Sequence, residues 1–204
     1  MMRIEIRNDV VVIDGYVNAV ARDSRPIPSV RGKFVEQIVP KAFERALSKS
    51  KNVDLLLNHD NNRKLGSTLE GNLELFEDNI GLRAICTVTD SDVIEKARNN
   101  QLRGWSFGFY ADKDRWEEKD GVQRRFVEEL ELTEVSIIDN TKMPAYIATS
   151  IEARAGEEVL KELREEEENK NFITDNTSKE PEKRNEPIDY SKIEEEIKQI
   201  KGGK

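Results

Sequence analysis

The run Gly104-Trp105-Ser106-Phe107-Gly108-Phe109-Tyr110-Ala111 places a large aromatic ring at every second position from Trp105 to Phe109. A period of two belongs to a strand with one buried face, not to a helix. Trp105, Phe107 and Phe109 share the face that turns to a core, and Ser106, Gly108 and Tyr110 share the other. Gly104 and Gly108 carry no side chain, so the serine between them is open to close backbone approach. The segment predicts a β protein with a hydroxyl on the accessible face of one strand.

The flanking sequence reads the same way. Residues 3–7 alternate, with Ile4 and Ile6 opposite Arg3, Glu5 and Arg7. Residues 10–20 are β-branched and interrupted at Asp14-Gly15, a turn or bulge signal. Pro26, Pro28 and Gly32 mark residues 22–33 as an exposed loop. Residues 34–39 read as a short strand, and residues 53–57 as a buried strand ending at Asn58-His59-Asp60. Residues 65–87 read as a meander broken at Glu70-Gly71-Asn72 and near Asp78-Asn79. Residues 112–121 read as a polar hairpin loop, and strands over 122–131, 134–138 and 146–151 complete the set. Pro40 suits the first position of a helix that carries Phe43, Ala46 and Leu47 at helical spacing. A second helix spans 91–102, with Ser91 as its N-cap. About nine short strands and two helices predict a mainly-β (α+β) fold: a closed or nearly closed antiparallel β-barrel with the helices outside.

Composition bounds the function. The 204 residues carry a net charge of -8, with one histidine and one cysteine. One cysteine forms no internal disulfide, and one His with one Cys supplies no structural zinc site. The longest apolar run near the N-terminus, Val10-Val11-Val12-Ile13, is too short for a signal-peptide core or a membrane span. The acidic balance argues against a general nucleic-acid binder. These features predict a soluble intracellular protein without membrane or specific nucleic-acid partners. The charge is uneven: residues 155–204 hold 15 acids and 10 bases but only two aromatics, Phe172 and Tyr190. Such a segment buries no core of its own. The expected division is a body of residues 1–154 and an acidic, partly disordered and partly helical tail of residues 155–204. Within the tail the expectation is a helix over 157–170, a disordered spacer over 172–187, and a second helical piece bearing Ile193, Ile197 and Ile200.

Three segments carry groups suited to chemistry. His59 stands at the end of a buried strand, and it is the chain's single imidazole. Ser106 lies in Gly104-Trp105-Ser106-Phe107-Gly108, formally the G-x-S-x-G pattern. An α/β-hydrolase is excluded by order, because that fold runs Ser, acid, His and no histidine follows Ser106. The order left is His59, Ser106, then an acid, which triads on unrelated folds permit. Glu134 sits in the apolar strand Glu134-Val135-Ser136-Ile137-Ile138, where a carboxylate needs a hydrogen-bonded partner such as an imidazole N–H. Asp139, at that strand's end, competes with Glu134 for the role of third member. Cys86, the other candidate nucleophile, lies among apolar neighbours on a strand, where thiols are inert. Asp60 is adjacent to His59 and points to the opposite face of a strand.

Together these segments resemble the phage prohead proteases, the capsid maturation proteases related in fold to the herpesvirus assemblins. The resemblance rests on Leu56-Leu57-Asn58-His59-Asp60, on Gly104-Trp105-Ser106-Phe107-Gly108-Phe109, and on Glu134-Val135-Ser136-Ile137-Ile138 followed by Pro144-Ala145. Gly15-Tyr16, the strand-helix segment from Phe34 to Phe43, Lys64-Leu65-Gly66-Ser67 and Gly81-Leu82 also fit, so the likeness covers about residues 10–152. Asn140-Thr141-Lys142-Met143 departs from it by being more polar before Pro144. The resemblance implies a serine endopeptidase that needs no cofactor or metal. It implies His59 as base, Ser106 as nucleophile and Glu134 as the best match for the third member. The implied substrates are the scaffold, the major capsid protein and the protease itself, in the host cytoplasm inside the assembling prohead. Self-association or dimerisation fits the same setting. The tail then reads as a recruitment arm or the remnant of a fused scaffold, with self-cleavage expected between about residues 155 and 187. A catalytically inert β-barrel assembly or adaptor module of a virion is the competing reading.

Overall fold

The computed structural model of the chain describes residues 2–29, 32–141, 151–154, 157–160, 162–165 and 171–177. The chain runs β1 (Met2–Arg7), β2 (Val10–Ala19), β3 (Ile27–Ser29), β4 (Gly32–Ile38), α1 (Ala42–Lys49), β5 (Asp54–Leu57), β6 (Asp60–Ser67), β7 (Leu73–Glu77) and β8 (Gly81–Val88). It continues through α2 (Ser91–Arg98), β9 (Leu102–Lys119), β10 (Val122–Asp139), β11 (Ile151–Arg154), β12 (Glu157–Leu160), β13 (Glu162–Glu165) and β14 (Phe172–Asp175).

The described strands form two main sheets. The first has the order β14-β1-β2-β8-β7. The second has the order β13-β9-β10-β4-β3, with β5 also on β10 and β6 on β5. Their apolar faces share one core: Ile4, Ile6, Val11, Ile13, Leu82 and Ala84 from the first sheet, and Leu55, Leu57, Trp105, Phe107, Val135 and Ile137 from the second. The alternation read at residues 3–7 survives as burial of Met2, Ile4 and Ile6 against exposure of Arg3 and Arg7. The expected closed or nearly closed antiparallel barrel does not form among the described strands, and both sheets are mixed: β10 pairs in parallel with β4 and β5, and β1 with β14. Closure needs an unbroken ring of hydrogen-bonded strands. Besides each other, β9 and β10 bond to β13, β4 and β5, and none of these belongs to the sheet of β1, β2, β7 and β8.

Other local readings change as well: β3 and the start of β4 lie in the segment read as an exposed loop over 22–33, and α2 ends at Arg98 rather than at residue 102. Residues 112–119 are strand rather than loop, because Asp120-Gly121 makes a two-residue turn between Lys119 and Val122. Both turn residues have positive φ, 56° and 73°, as a type I′ hairpin requires. The ribbon escaped sequence reading because residues 112–119 are exposed throughout and carry no hydrophobic alternation. In the tail, β12 and β13 stand where a helix was expected, and β14 stands where a spacer was expected. Phe172-Ile173-Thr174 has strong β propensity and pairs in parallel with Arg3-Ile4-Glu5. It covers the otherwise open edge of β1. The strand end read at residues 146–150 and the stripe Ile193, Ile197 and Ile200 lie outside the described residues.

Each helix starts one or two residues from its sequence-read position. α1 begins at Ala42 rather than Pro40, and Glu77 of β7 caps it by accepting the N–H groups of Lys41 and Glu44 at 2.5 and 2.9 Å. The N-cap of α2 is Asp90, whose Oδ1 accepts the Val93 N–H at 3.1 Å. Phe43 of α1 packs edge-on against Phe107 at 5.5 Å between centroids, so α1 seals the aromatic face of β9. The opposite face of β9 is left for the site. No helix among the described residues is long and apolar enough to cross a membrane.

Candidate active site

The site is built where β10 meets β9 on one edge and β5 on the other. Glu134 to Ile137 pair in parallel with Asp54 to Leu57. The same stretch runs antiparallel to β9, with Ser136 opposite Ser106 and Glu134 opposite Gly108. Directly paired residues share a face, so Ser106, Ser136 and Glu134 lie together. Gly108 leaves the space opposite Glu134 free of a side chain.

A bulge decides which way Glu134 points. Leu132 pairs with Phe109 and Val135 with Phe107, and both β10 residues face the core. Those two are three positions apart, an odd step that regular alternation forbids. The register shift between Leu132 and Glu134 inserts Thr133 as the extra residue. It turns Glu134 and Ser136 off the core face.

His59 arrives on a hairpin turn. Leu57 of β5 pairs with Asp60 of β6, and Asn58-His59 forms the two-residue connection. Both have positive φ, 57° and 60°, the I′ pattern in which glycine more often fills the second position. This backbone is uncommon for residues other than glycine, though Asn and His take it more readily than most, and three hydrogen bonds hold it here. The Asn58 N–H donates to the Ile137 carbonyl at 2.9 Å, and Asn58 Oδ1 accepts the Asp139 N–H at 3.0 Å. The His59 N–H donates to Ser136 Oγ at 3.1 Å.

The imidazole then spans the three functional groups. Nδ1 lies 2.7 Å from Glu134 Oε1, and Nε2 lies 2.7 Å from Ser106 Oγ. Ser136 donates its hydroxyl to Glu134 Oε2 at 2.7 Å. An ionised carboxylate only accepts, so with a neutral ring the proton sits on Nδ1 and the Nε2 lone pair faces the serine hydroxyl. The cluster is buried: the side chains of His59 and Glu134 are 7% and 4% exposed, and Ser106, expected on an accessible face, is fully covered. Such an arrangement can withdraw a proton from Ser106 and hold the resulting imidazolium against a carboxylate in low dielectric.

Asp139 has a different place. Its carboxylate accepts the N–H and the hydroxyl of Thr141, at 2.9 and 2.5 Å. Burial opposes its ionisation, yet the bonds from Thr141 and Asn58, with Lys96 at 3.7 Å, hold the carboxyl below the usual carboxylate range. Both nitrogens of the His59 ring are already engaged, so Asp139 braces the turn instead of meeting the imidazole. Asp60 is exposed and accepts the Asn62 N–H at 2.8 Å. Cys86 is buried on β8 opposite Ile13, in the other sheet, and burial pushes its thiol up to about 12.

Sequence reading placed Ser136 on the face of Glu134 without giving it a partner. It also missed Asn58, although an Asn opening a two-residue connection after an apolar strand is a I′ turn signal. Among the described residues no group of three or more His, Cys, Asp or Glu side chains is arranged to hold a metal ion. The free edge of β9 is covered by β13, antiparallel, with Leu163 opposite Gly108 and Glu165 opposite Ser106.

Comparison with known proteins brings one match. The family model described as caudovirus prohead serine protease matches residues 1–162. No curated protein and no solved structure matches the chain.

Proposed function

The chain belongs to the caudovirus prohead serine protease family, and we propose that it is a serine endopeptidase in which Ser106 is the nucleophile, His59 the base and Glu134 the orienting acid. The observation that carries this reading is the continuous series Ser106 Oγ, His59 Nε2, His59 Nδ1 and Glu134 Oε1, with 2.7 Å at each contact between side chains. Ser106 Oγ attacks the scissile carbonyl as its proton passes to Nε2. His59 returns that proton to the leaving amine, and water resolves the acyl-enzyme by the same route in reverse. Glu134 holds the Nδ1–H tautomer and balances the charge of the imidazolium.

The substrates of this reading are the major capsid protein, the scaffold and the chain itself, inside the assembling prohead. The catalytic body is residues 1–154, and residues 155–204 recruit it to the shell. Self-cleavage falls between about residues 155 and 187. It is supported by β13, a segment of this window that lies along β9 with Glu165 paired to Ser106. Extended peptides bind to sheet edges through main-chain hydrogen bonds, so a substrate strand can take the same edge.

A serine-reactive phosphonate, applied to assembled proheads and followed by peptide mapping, tests the assignment. Attachment at Ser106 supports it. Attachment elsewhere, or none, removes it and favours an inert assembly module.

A further inference from the structure

We infer that Ser136 is a positioning residue for the catalytic histidine, acting as a clamp between the backbone of His59 and the carboxylate of Glu134. The inference rests on the reading of Ser106, His59 and Glu134 as the reacting set.

One hydroxyl makes two contacts there, and they run in sequence. Ser136 Oγ accepts the His59 N–H at 3.1 Å and donates to Glu134 Oε2 at 2.7 Å. With Glu134 Oε1 on Nδ1, this closes a ring: His59 backbone, Ser136, Glu134, His59 imidazole. The ring closes around a backbone that is uncommon for histidine, at φ 60°. Loss of the Ser136 contact removes one of the bonds that hold this turn, and any shift of its backbone moves the imidazole relative to Ser106.

The second contact answers a different need. Glu134 is buried, 3% exposed. A buried carboxylate oxygen without a donor is costly, and the cheapest relief is rotation of the carboxylate away from the ring. The Ser136 hydroxyl removes that incentive. The two side chains meet because Glu134 and Ser136 are two apart on one strand, on the face created by the Thr133 bulge.

The test compares Ser136→Ala, Ser136→Thr and Ser136→Val in the full chain. Thr and Val share a shape and differ by the hydroxyl, so they separate hydrogen bonding from volume. The first readout is phosphonate inactivation, split into its binding constant and its maximal rate. The second is the imidazole N–H resonance, unambiguous because the chain has one histidine. Ser136→Ala and Ser136→Val should lower the maximal rate by about 10²-fold, the scale of a misplacement of about 1 Å, with little change in binding. Both should lose the hydrogen-bonded Nδ1–H signal, and Ser136→Thr should keep the signal and much of the rate. The inference is overturned if Ser136→Ala retains the rate and the signal, or if Ser136→Thr behaves like Ser136→Val. The resonance decides the clamp even where wild-type protein takes no label, an outcome that counts against the protease reading instead.

Discussion

Glu134 Oε1 lies 2.7 Å from His59 Nδ1, reached from a strand position that the bulge at Thr133 turns toward the ring. Were residues 132–134 to alternate regularly, with no bulge at Thr133, Glu134 would fall on the core face with Leu132. The acid therefore depends on a break in the strand as much as on its own side chain.

Glu134→Gln keeps the shape and removes the charge, and its amide can favour the wrong imidazole tautomer. The rate of capsid processing should fall on the order of 10⁴-fold, the scale seen when the orienting acid of another serine protease is amidated. Asp139→Asn, which only loosens the turn, should lower that rate far less. Quantified processing time courses for the two variants separate the competing acids, and equal losses sink the assignment.

In the proposed mechanism Asp139 contributes to stability rather than chemistry. Its folded carboxyl lies below the usual range, so its contribution is present above the unfolded value of about 3.9. That contribution is lost as pH falls through the lower folded value. Asp139→Asn should cost about 1–3 kcal/mol at neutral pH, as for other buried bonds left incomplete. Denaturant melts of both proteins should converge in acid below about pH 4. A gap that widens there contradicts the account.

The Asn58-His59 turn should tolerate glycine and reject β-branched residues. Asn58 has φ 57°, where a β-branched side chain is strained by about 1–2 kcal/mol. Asn58→Val should lower the melting temperature and slow phosphonate labelling together. Asn58→Gly should be milder on both counts, although it loses the bond to the Asp139 N–H. Equal effects from Val and Gly would show that the side-chain bond, not the backbone, holds the turn.

Cys86 should be silent. Burial raises its thiol to about 12, well above the ordinary value of about 8.5. Native protein should resist alkylation at mildly alkaline pH, and unfolded protein should react at once, as intact mass will show. Because the fold favours the protonated thiol, this residue's contribution to stability is present below about pH 8.5 and fades as pH rises toward the folded value. Cys86→Ala should process capsid protein at the wild-type rate.

Much of the arrangement was legible in the residues themselves. The period of two at Trp105, Phe107 and Phe109 named the buried face of β9, and all three rings are in the core. The single histidine named the only imidazole available to the site. Closure of the sheets was not legible, because alternation says which face is buried and nothing about which strand supplies the next hydrogen bond. The ribbon over residues 112–119 was hidden because both of its faces meet solvent. The choice between Glu134 and Asp139 turned on one inserted residue, and a pattern of apolar positions does not reveal where a register slips.

The most direct measurement is co-expression of the chain with its major capsid protein, followed by intact-mass analysis of both. Wild-type chain should yield shortened capsid protein and a chain cut between about residues 155 and 187. Ser106→Ala and His59→Ala should each leave both proteins at full length. Unchanged processing in the Ser106→Ala variant would contradict the account.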